Sequence, residues 1–222
     1  MKNAQLFILC FISVYFNAQE RKLPIDTLVI TQHKTIIKGQ SVSYEAQTGT
    51  QPVWNKDGKP IASLFYTYYK RTDLKSNLKR PIIFSFNGGP GSASVWMHIA
   101  YTGPKILKID NEGYPIQPYG FKSNPYSILD VADIVFINPV NTGYSRMIKV
   151  DGKLPDRKIF FGINEDIKYL SEWLSTFVSR NNRWESSKYI IGESYGGTRV
   201  MGLSLALQNQ QWMYLNGVIM VS

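Results

Sequence analysis

The sequence predicts an α/β fold with a mostly parallel central sheet and leading antiparallel strands, and three features predict it. Pro81 to Phe86 (PIIFSF) and Ala132 to Asn138 (ADIVFIN) are short, near-continuous apolar runs, the pattern of strands buried on both faces of a parallel sheet. From Ile163 to Val178, apolar residues recur at helical spacing. Lys188 to Gln208 (KYIIGESYGGTRVMGLSLALQ) then reads as strand, tight corner and helix in succession. The 222 residues, 44% hydrophobic and 18% charged, suffice for one domain with a sizeable core. The net charge of +9 is spread along the chain. Basic pairs at Lys70-Arg71 and Lys79-Arg80 form no long run interleaved with aromatics, so they read as solvated surface and no nucleic-acid partner is expected.

The N-terminus carries the marks of a targeting segment. Lys2 supplies a positive start, and Leu6 to Phe16 is an apolar run of eleven residues, too short to span a bilayer well and right for a signal h-region. Ala18 is a small residue at a plausible cleavage point. Residues 1–19 are therefore expected to be a signal peptide, residues 20–222 the mature chain, and the address exported, periplasmic or secreted. No stable membrane insertion is expected after cleavage. Cys10, the one cysteine of the sequence, lies in that run, so the mature chain is expected to hold no disulfide.

Residues 25 to 70 read as antiparallel β. Ile36-Ile37, Ser41 to Ala46 and Ile61 to Tyr69 are rich in β-branched and aromatic residues, with Gly39, Gly49 and Asp57-Gly58 as turns. Val53-Trp54 followed by Asn55 to Pro60 reads as a hairpin. The aromatics of IASLFYTYY read as core and sheet packing. After a polar connection from Leu74 to Lys79, PIIFSF runs directly into Asn87-Gly88-Gly89-Pro90-Gly91-Ser92-Ala93-Ser94. No lysine follows at P-loop spacing, which disfavours a phosphate cradle; a structural turn and an oxyanion loop remain, and the corner described next favours the oxyanion loop.

Pro104 to Tyr119 reads as a polar surface loop, and Pro139 to Ser145 as a loop at the C-terminal end of ADIVFIN, where α/β sheets gather ligand sites. In the helix that follows, Asn164 is the expected N-cap, and Glu165 and Asp166 favour the first turn. Ile163, Ile167, Leu170, Leu174, Phe177 and Val178 are its expected buried face, with Trp173 packed beside it. Gly192-Glu193-Ser194-Tyr195-Gly196 matches G-x-S-x-G, a nucleophile elbow. Its glycines are expected where strand and helix pass too closely for a side chain, and Ser194 on a strained backbone with its hydroxyl pushed outward. The elbow helix is expected from Thr198 to about Gln208, with Val200, Met201, Leu203, Leu205 and Leu207 apolar, and Leu215 to Val221 as another core strand. This order of elements is that of the α/β-hydrolase fold.

FNGGPGSAS, ADIVFINPVNTGYS and KYIIGESYGGTR resemble, in order and spacing, the three signature blocks of the serine carboxypeptidases, peptidase family S10. The similarity runs from about Lys59 to Ser222, and Ser92 in place of cysteine is similar to the bacterial branch. The resemblance implies serine acyl transfer at peptide or protein C-termini, with no metal or organic cofactor. Ser194 would be the acylating nucleophile, and the backbone N–H groups of Gly89 and Tyr195 the oxyanion hole. The Asn87 side chain and Gly88 backbone would hold the substrate's C-terminal carboxylate. Glu193 would join them as a protonated acid, since two facing carboxyl groups do not readily both stay charged.

Two departures stand out. Some relatives place a second glutamate just before the Gly-Pro that follows the glycine loop; here Tyr101 stands before Thr102-Gly103-Pro104. The fold orders its triad Ser, Asp, His, yet the 28 residues after Ser194 contain neither Asp nor His. His33 and His98 lie upstream, and His98 reads as packing or surface. Residues 1–222 are thus expected to be the N-terminal part of a longer enzyme, inactive alone. An acyltransferase or esterase on the same scaffold and a non-catalytic remnant are the alternatives.

Overall fold

The computed structural model describes residues 24–74 and 79–222. The expected signal peptide at 1–19 and residues 75–78 of the polar connection lie outside the described residues. The chain opens on an antiparallel meander of β1 (Thr27–Ile37), β2 (Gln40–Trp54) and β3 (Pro60–Arg71). Asn55 closes the second hairpin because its Oδ1 accepts from the N–H groups of Asp57 at 3.0 Å and Lys59 at 2.9 Å, a side chain standing in for a backbone turn. Then follow β4 (Ile82–Phe86), β5 (Lys105–Leu107), β6 (Phe121–Ser123), β7 (Asp133–Ile137), β8 (Arg146–Met147), α1 (Ile163–Arg180), β9 (Lys188–Glu193), α2 (Tyr195–Gln211) and β10 (Gly217–Val221).

The main sheet runs β1-β2-β3-β7-β4-β9-β10, with β8 pairing β3. The last four strands of that order are mutually parallel. Together with the antiparallel meander on one side, they make an α/β-hydrolase sheet. Period-two alternation explains why the parallel strands carry apolar residues on both faces. Ile82, Phe84 and Phe86 of β4, Val135 and Ile137 of β7 and Ile190 of β9 face one way, into a core with Leu170, Trp173, Leu174 and Phe177 of α1 and Val200, Leu203 and Leu207 of α2. Ile83, Ile134, Phe136 and Ile191 face the other, against Met97 and Ala132. Every residue of β4 and β7 is buried.

The IASLFYTYY aromatics pack as expected: Tyr66 and Tyr68 lie edge-on to Phe177. Elsewhere the structure corrects the sequence reading. Gly162, not Asn164, precedes α1, and its carbonyl accepts from Asp166 N–H. The helix thus starts earlier, and Ile163 stands exposed at its mouth. α2 begins at Tyr195, not Thr198, because the corner needs no linker: Gly197 N–H already donates to the Ser194 carbonyl at 2.8 Å. Met201 and Leu205 are exposed, since α2 buries only the stripe carrying Val200, Leu203 and Leu207. Leu215 to Val221 is not a core strand. β10 is an edge paired with β9, and Val218, Ile219, Met220 and Val221 remain exposed. The 104–119 loop holds β5, which pairs with β6.

Arg71 and Arg80 are not solvated either. Asp133, fully buried at the start of β7, accepts from Arg80 Nε at 2.9 Å and from Arg183 at 2.7 Å, and Arg71 N–H donates to it at 3.1 Å. Arg71 itself pairs with Asp73. Two guanidinium groups on one buried carboxylate weld β3, β7 and the turn before β9 at the sheet end remote from the glycine loop. His98 is packing, as expected. Its ring stacks on Phe136 at 4.4 Å, and Nε2 bonds the Tyr69 hydroxyl at 2.7 Å.

Two outcomes follow. Asp133→Asn leaves two buried guanidinium groups without their counter-charge, and should cost about 3–5 kcal/mol, read as a lower urea midpoint at unchanged slope. Burial holds His98 down at about 4, whereas the unfolded imidazole titrates near 6.5. The unfolded chain therefore takes the proton first. This contribution to stability is complete above pH 6.5 and is lost as pH falls towards 4, on the order of 3 kcal/mol in all. His98→Phe should flatten that slope in denaturant titrations between pH 7 and 4; an unchanged slope would contradict the assignment.

Candidate active site

Three C-terminal strand ends build the site. β4 and β9 pair in parallel with Phe86 opposite Gly192, so the residues one step beyond, Asn87 and Glu193, emerge side by side. Asn87 Nδ2 donates to Glu193 Oε2 at 2.9 Å. The Asn87 amide is oriented from its other end, where Oδ1 accepts from Met97 N–H at 3.1 Å. Asn87 is fully buried and Glu193 partly so.

Ser194 follows at once. It is exposed, with φ 57° and ψ −125°, a conformation that costs a non-glycine residue about 1–3 kcal/mol. Two backbone bonds hold it there. Its N–H donates to Val221 of β10 and its carbonyl accepts from Gly197 N–H, both at 2.8 Å. The glycine at 192 has the expected cause: a Cβ there would lie 2.1 Å from the Gly196 carbonyl oxygen. Gly196 in turn packs against the Phe86 carbonyl.

The glycine turn lies directly on the elbow. A Cβ on Gly88 would meet Tyr195 N at 2.6 Å and Ser194 Cβ at 2.9 Å, so residue 88 must lack a side chain for the two segments to touch. Gly89 follows with φ 107°. Among the described residues the N–H groups of Gly88, Gly89 and Tyr195 have no hydrogen-bond acceptor. For Tyr195 this is the ordinary state of a first helical residue, whose N–H has no partner within the helix. The structure thus gathers Asn87, Gly88, Glu193, Ser194 and Tyr195, with Gly89 next in the turn. The arrangement offers a hydroxyl on a strained corner, unpaired amides beside it, and an amide–carboxyl pair at one side.

Several supports were not foreseen from the sequence. Ser94 Oγ donates to the Ile137 carbonyl at 2.5 Å, and Ser94 N–H donates to Asn138 Oδ1 at 3.0 Å, pinning the end of the glycine segment to β7. Arg199, nearly fully buried, donates from Nε to Asp166 Oδ2 at 2.7 Å, and from its terminal nitrogens to the carbonyls of Asn87 at 2.9 Å and Pro90 at 3.2 Å. Tyr169 completes Asp166 by donating to Oδ1 at 3.0 Å. The signal for this cluster was present: Asp166 precedes Leu170, Trp173 and Phe177 on the apolar face of α1, where an acid needs a partner. The same ion pair lines a cavity of about 450 Å³, walled by Pro90, Val140, Phe160, Ile163 and Tyr195. Neither histidine is near at hand chemically. His98 is committed to Tyr69, and His33 bonds Thr31 on edge strand β1.

Residues 38–220 match the family model described as serine carboxypeptidase. Over 166 residues the chain is 30% identical to serine carboxypeptidase-like 36 of Arabidopsis thaliana, covering 72% of this chain and 32% of that protein. It is 28% identical over 158 residues to a pheromone-processing carboxypeptidase of Saccharomyces cerevisiae, covering 69% of this chain and 21% of that one. The chain therefore spans about a third or less of the length of these relatives. Among solved structures, the prohormone-processing carboxypeptidase of Saccharomyces cerevisiae superposes with a TM-score of 0.63 at 21% identity, covering 79% of this chain and 38% of that one; this likeness is one of fold. With the family model matched over most of its length, the chain belongs to the serine carboxypeptidase family.

Proposed function

We propose that this chain supplies the nucleophile, the oxyanion hole and the carboxylate clamp of a serine-type carboxypeptidase, exported by way of residues 1–19. Among the described residues no helix is long and apolar enough to cross a membrane. Ser194 attacks the carbonyl of the last peptide bond. The Gly89 and Tyr195 amides stabilise the oxyanion, the C-terminal residue leaves, and water releases the acyl group. Asn87, Gly88 and Glu193 hold the free carboxylate of the substrate. The observation that carries this reading is the 2.9 Å contact between Asn87 and Glu193 immediately beside an exposed serine at positive φ. An amide and a carboxyl group so placed recognise a carboxylate when the carboxyl group carries a proton.

His33 bonds Thr31 and His98 bonds Tyr69, so neither is placed as the base that takes the Ser194 proton. Without it the serine loses most of its reactivity, so the recognition half of the site is the part this chain can display alone.

Calorimetry should find a free-acid peptide bound about tenfold or more tightly than its amide, the worth of one or two hydrogen bonds to a charged group. Glu193→Gln, which keeps an amide donor where the carboxyl group stood, should keep the preference. Equal affinity for acid and amide would overturn the reading. In protein that also carries the base, Ser194→Ala should abolish covalent labelling by a fluorophosphonate, checked by intact mass.

A further inference from the structure

We infer that Arg199 is a positioning residue for carboxylate recognition, acting through the direction in which it turns the Gly88 amide. The inference rests on the function proposed above and extends it to a residue outside the recognised motifs.

The peptide unit joining Asn87 to Gly88 is planar, with its carbonyl and N–H on opposite sides. It is trans, since among the described residues only the Gly89–Pro90 and Gln117–Pro118 bonds are cis. Arg199 draws the Asn87 carbonyl towards the guanidinium at 2.9 Å. The Gly88 N–H must therefore point the opposite way, out of the core, and it has no acceptor among the described residues. Arg199 also holds the Pro90 carbonyl at 3.2 Å. One planar cation thus grips the glycine turn on both sides of Gly88-Gly89, while within the turn Ser92 N–H donates to the Gly88 carbonyl at 3.2 Å and Asn87 N–H to Ser94 Oγ at 3.3 Å.

The guanidinium is itself fixed. Asp166 takes Nε at 2.7 Å, and the rings of Tyr195 and Phe86 flank the guanidinium carbon at 5.3 and 5.8 Å. The three donors in use point in three directions, a fork that an ammonium group cannot reproduce. Asp166 sits on α1, Arg199 on α2 and the two carbonyls after β4, so the ion pair couples helix packing to the orientation of one recognition amide. A residue that only stabilised the fold would need the carboxylate partner but not both carbonyls.

The test uses two variants of the 222-residue chain. Arg199→Lys keeps a positive charge for Asp166 but gives up the fork. The double variant Arg199→Met with Asp166→Leu removes the pair and fills the space, an exchange that buried ion pairs often tolerate. For each, calorimetry measures binding of a free-acid peptide and of its C-terminal amide, and 15N relaxation reports the order of the Gly88, Gly89 and Gly91 amides. In folded variants, free-acid affinity should fall about tenfold, the worth of one hydrogen bond to a charged group, with amide affinity unchanged. The order parameters of the three glycines should drop from about 0.85 towards about 0.6, with β4 and α2 unaltered. Equal weakening of both peptides, or no change in either, would make Arg199 a structural clamp and overturn the inference. If the wild-type chain itself shows no preference for the free acid, the proposed function fails instead. Arg199 is then judged on order parameters alone, and rigid glycines in both variants would refute its positioning role.

Discussion

The parallel register of β4 against β9 is the constraint on which the site depends. Pairing Phe86 with Gly192 makes the next residues of each strand, Asn87 and Glu193, neighbours, and it sets the glycine turn against the elbow one residue later. A slip of one residue would turn every side chain of β9 to the opposite face, moving Ile190 out of the core that Phe84 and Phe86 share with both helices. The hydrophobic core therefore fixes the chemistry indirectly: it selects the register, and the register selects which polar groups meet.

Around that constraint the chain arranges two sets of buried ion pairs at opposite ends of the sheet. Asp133 with Arg80 and Arg183 ties the strand starts, and Asp166 with Arg199 ties the strand ends to both helices. Between them the apolar strands contribute burial without directional preference, whereas the ion pairs have one satisfactory geometry each. The strained serine is held by the same logic on a smaller scale. The cost of φ 57° is offset by backbone bonds on each side, one to β10 and one within α2, so the corner is determined by its neighbours rather than by its own preference.

How far the sequence disclosed this depended on the kind of signal. PIIFSF, ADIVFIN and the elbow were legible because burial on two faces and a strand-to-helix corner without linker leave strong local patterns. The pairing of Asn87 with Glu193 was legible only through the family resemblance, since nothing local links the two across more than a hundred residues. Ile163, expected on the buried face of α1, is exposed, as are Met201 and Leu205 of α2, because apolar periodicity does not say how wide a face the neighbouring sheet covers. β10 differs for the same reason: its composition is that of a buried strand, but among the described strands it pairs with β9 alone, and it packs against α2. Arg71, Arg80 and Arg199 were invisible as buried groups because charge in a sequence carries no record of its partner.

A crystal structure of the chain with a short free-acid peptide bears most directly on this account. The account predicts one carboxylate oxygen within hydrogen-bonding distance of Asn87 Nδ2 and the other near the Gly88 amide, with the last peptide carbonyl above Ser194 Oγ and facing the Gly89 amide. A peptide carboxylate seated elsewhere, or a Ser194 hydroxyl turned away from the glycine turn, would contradict it.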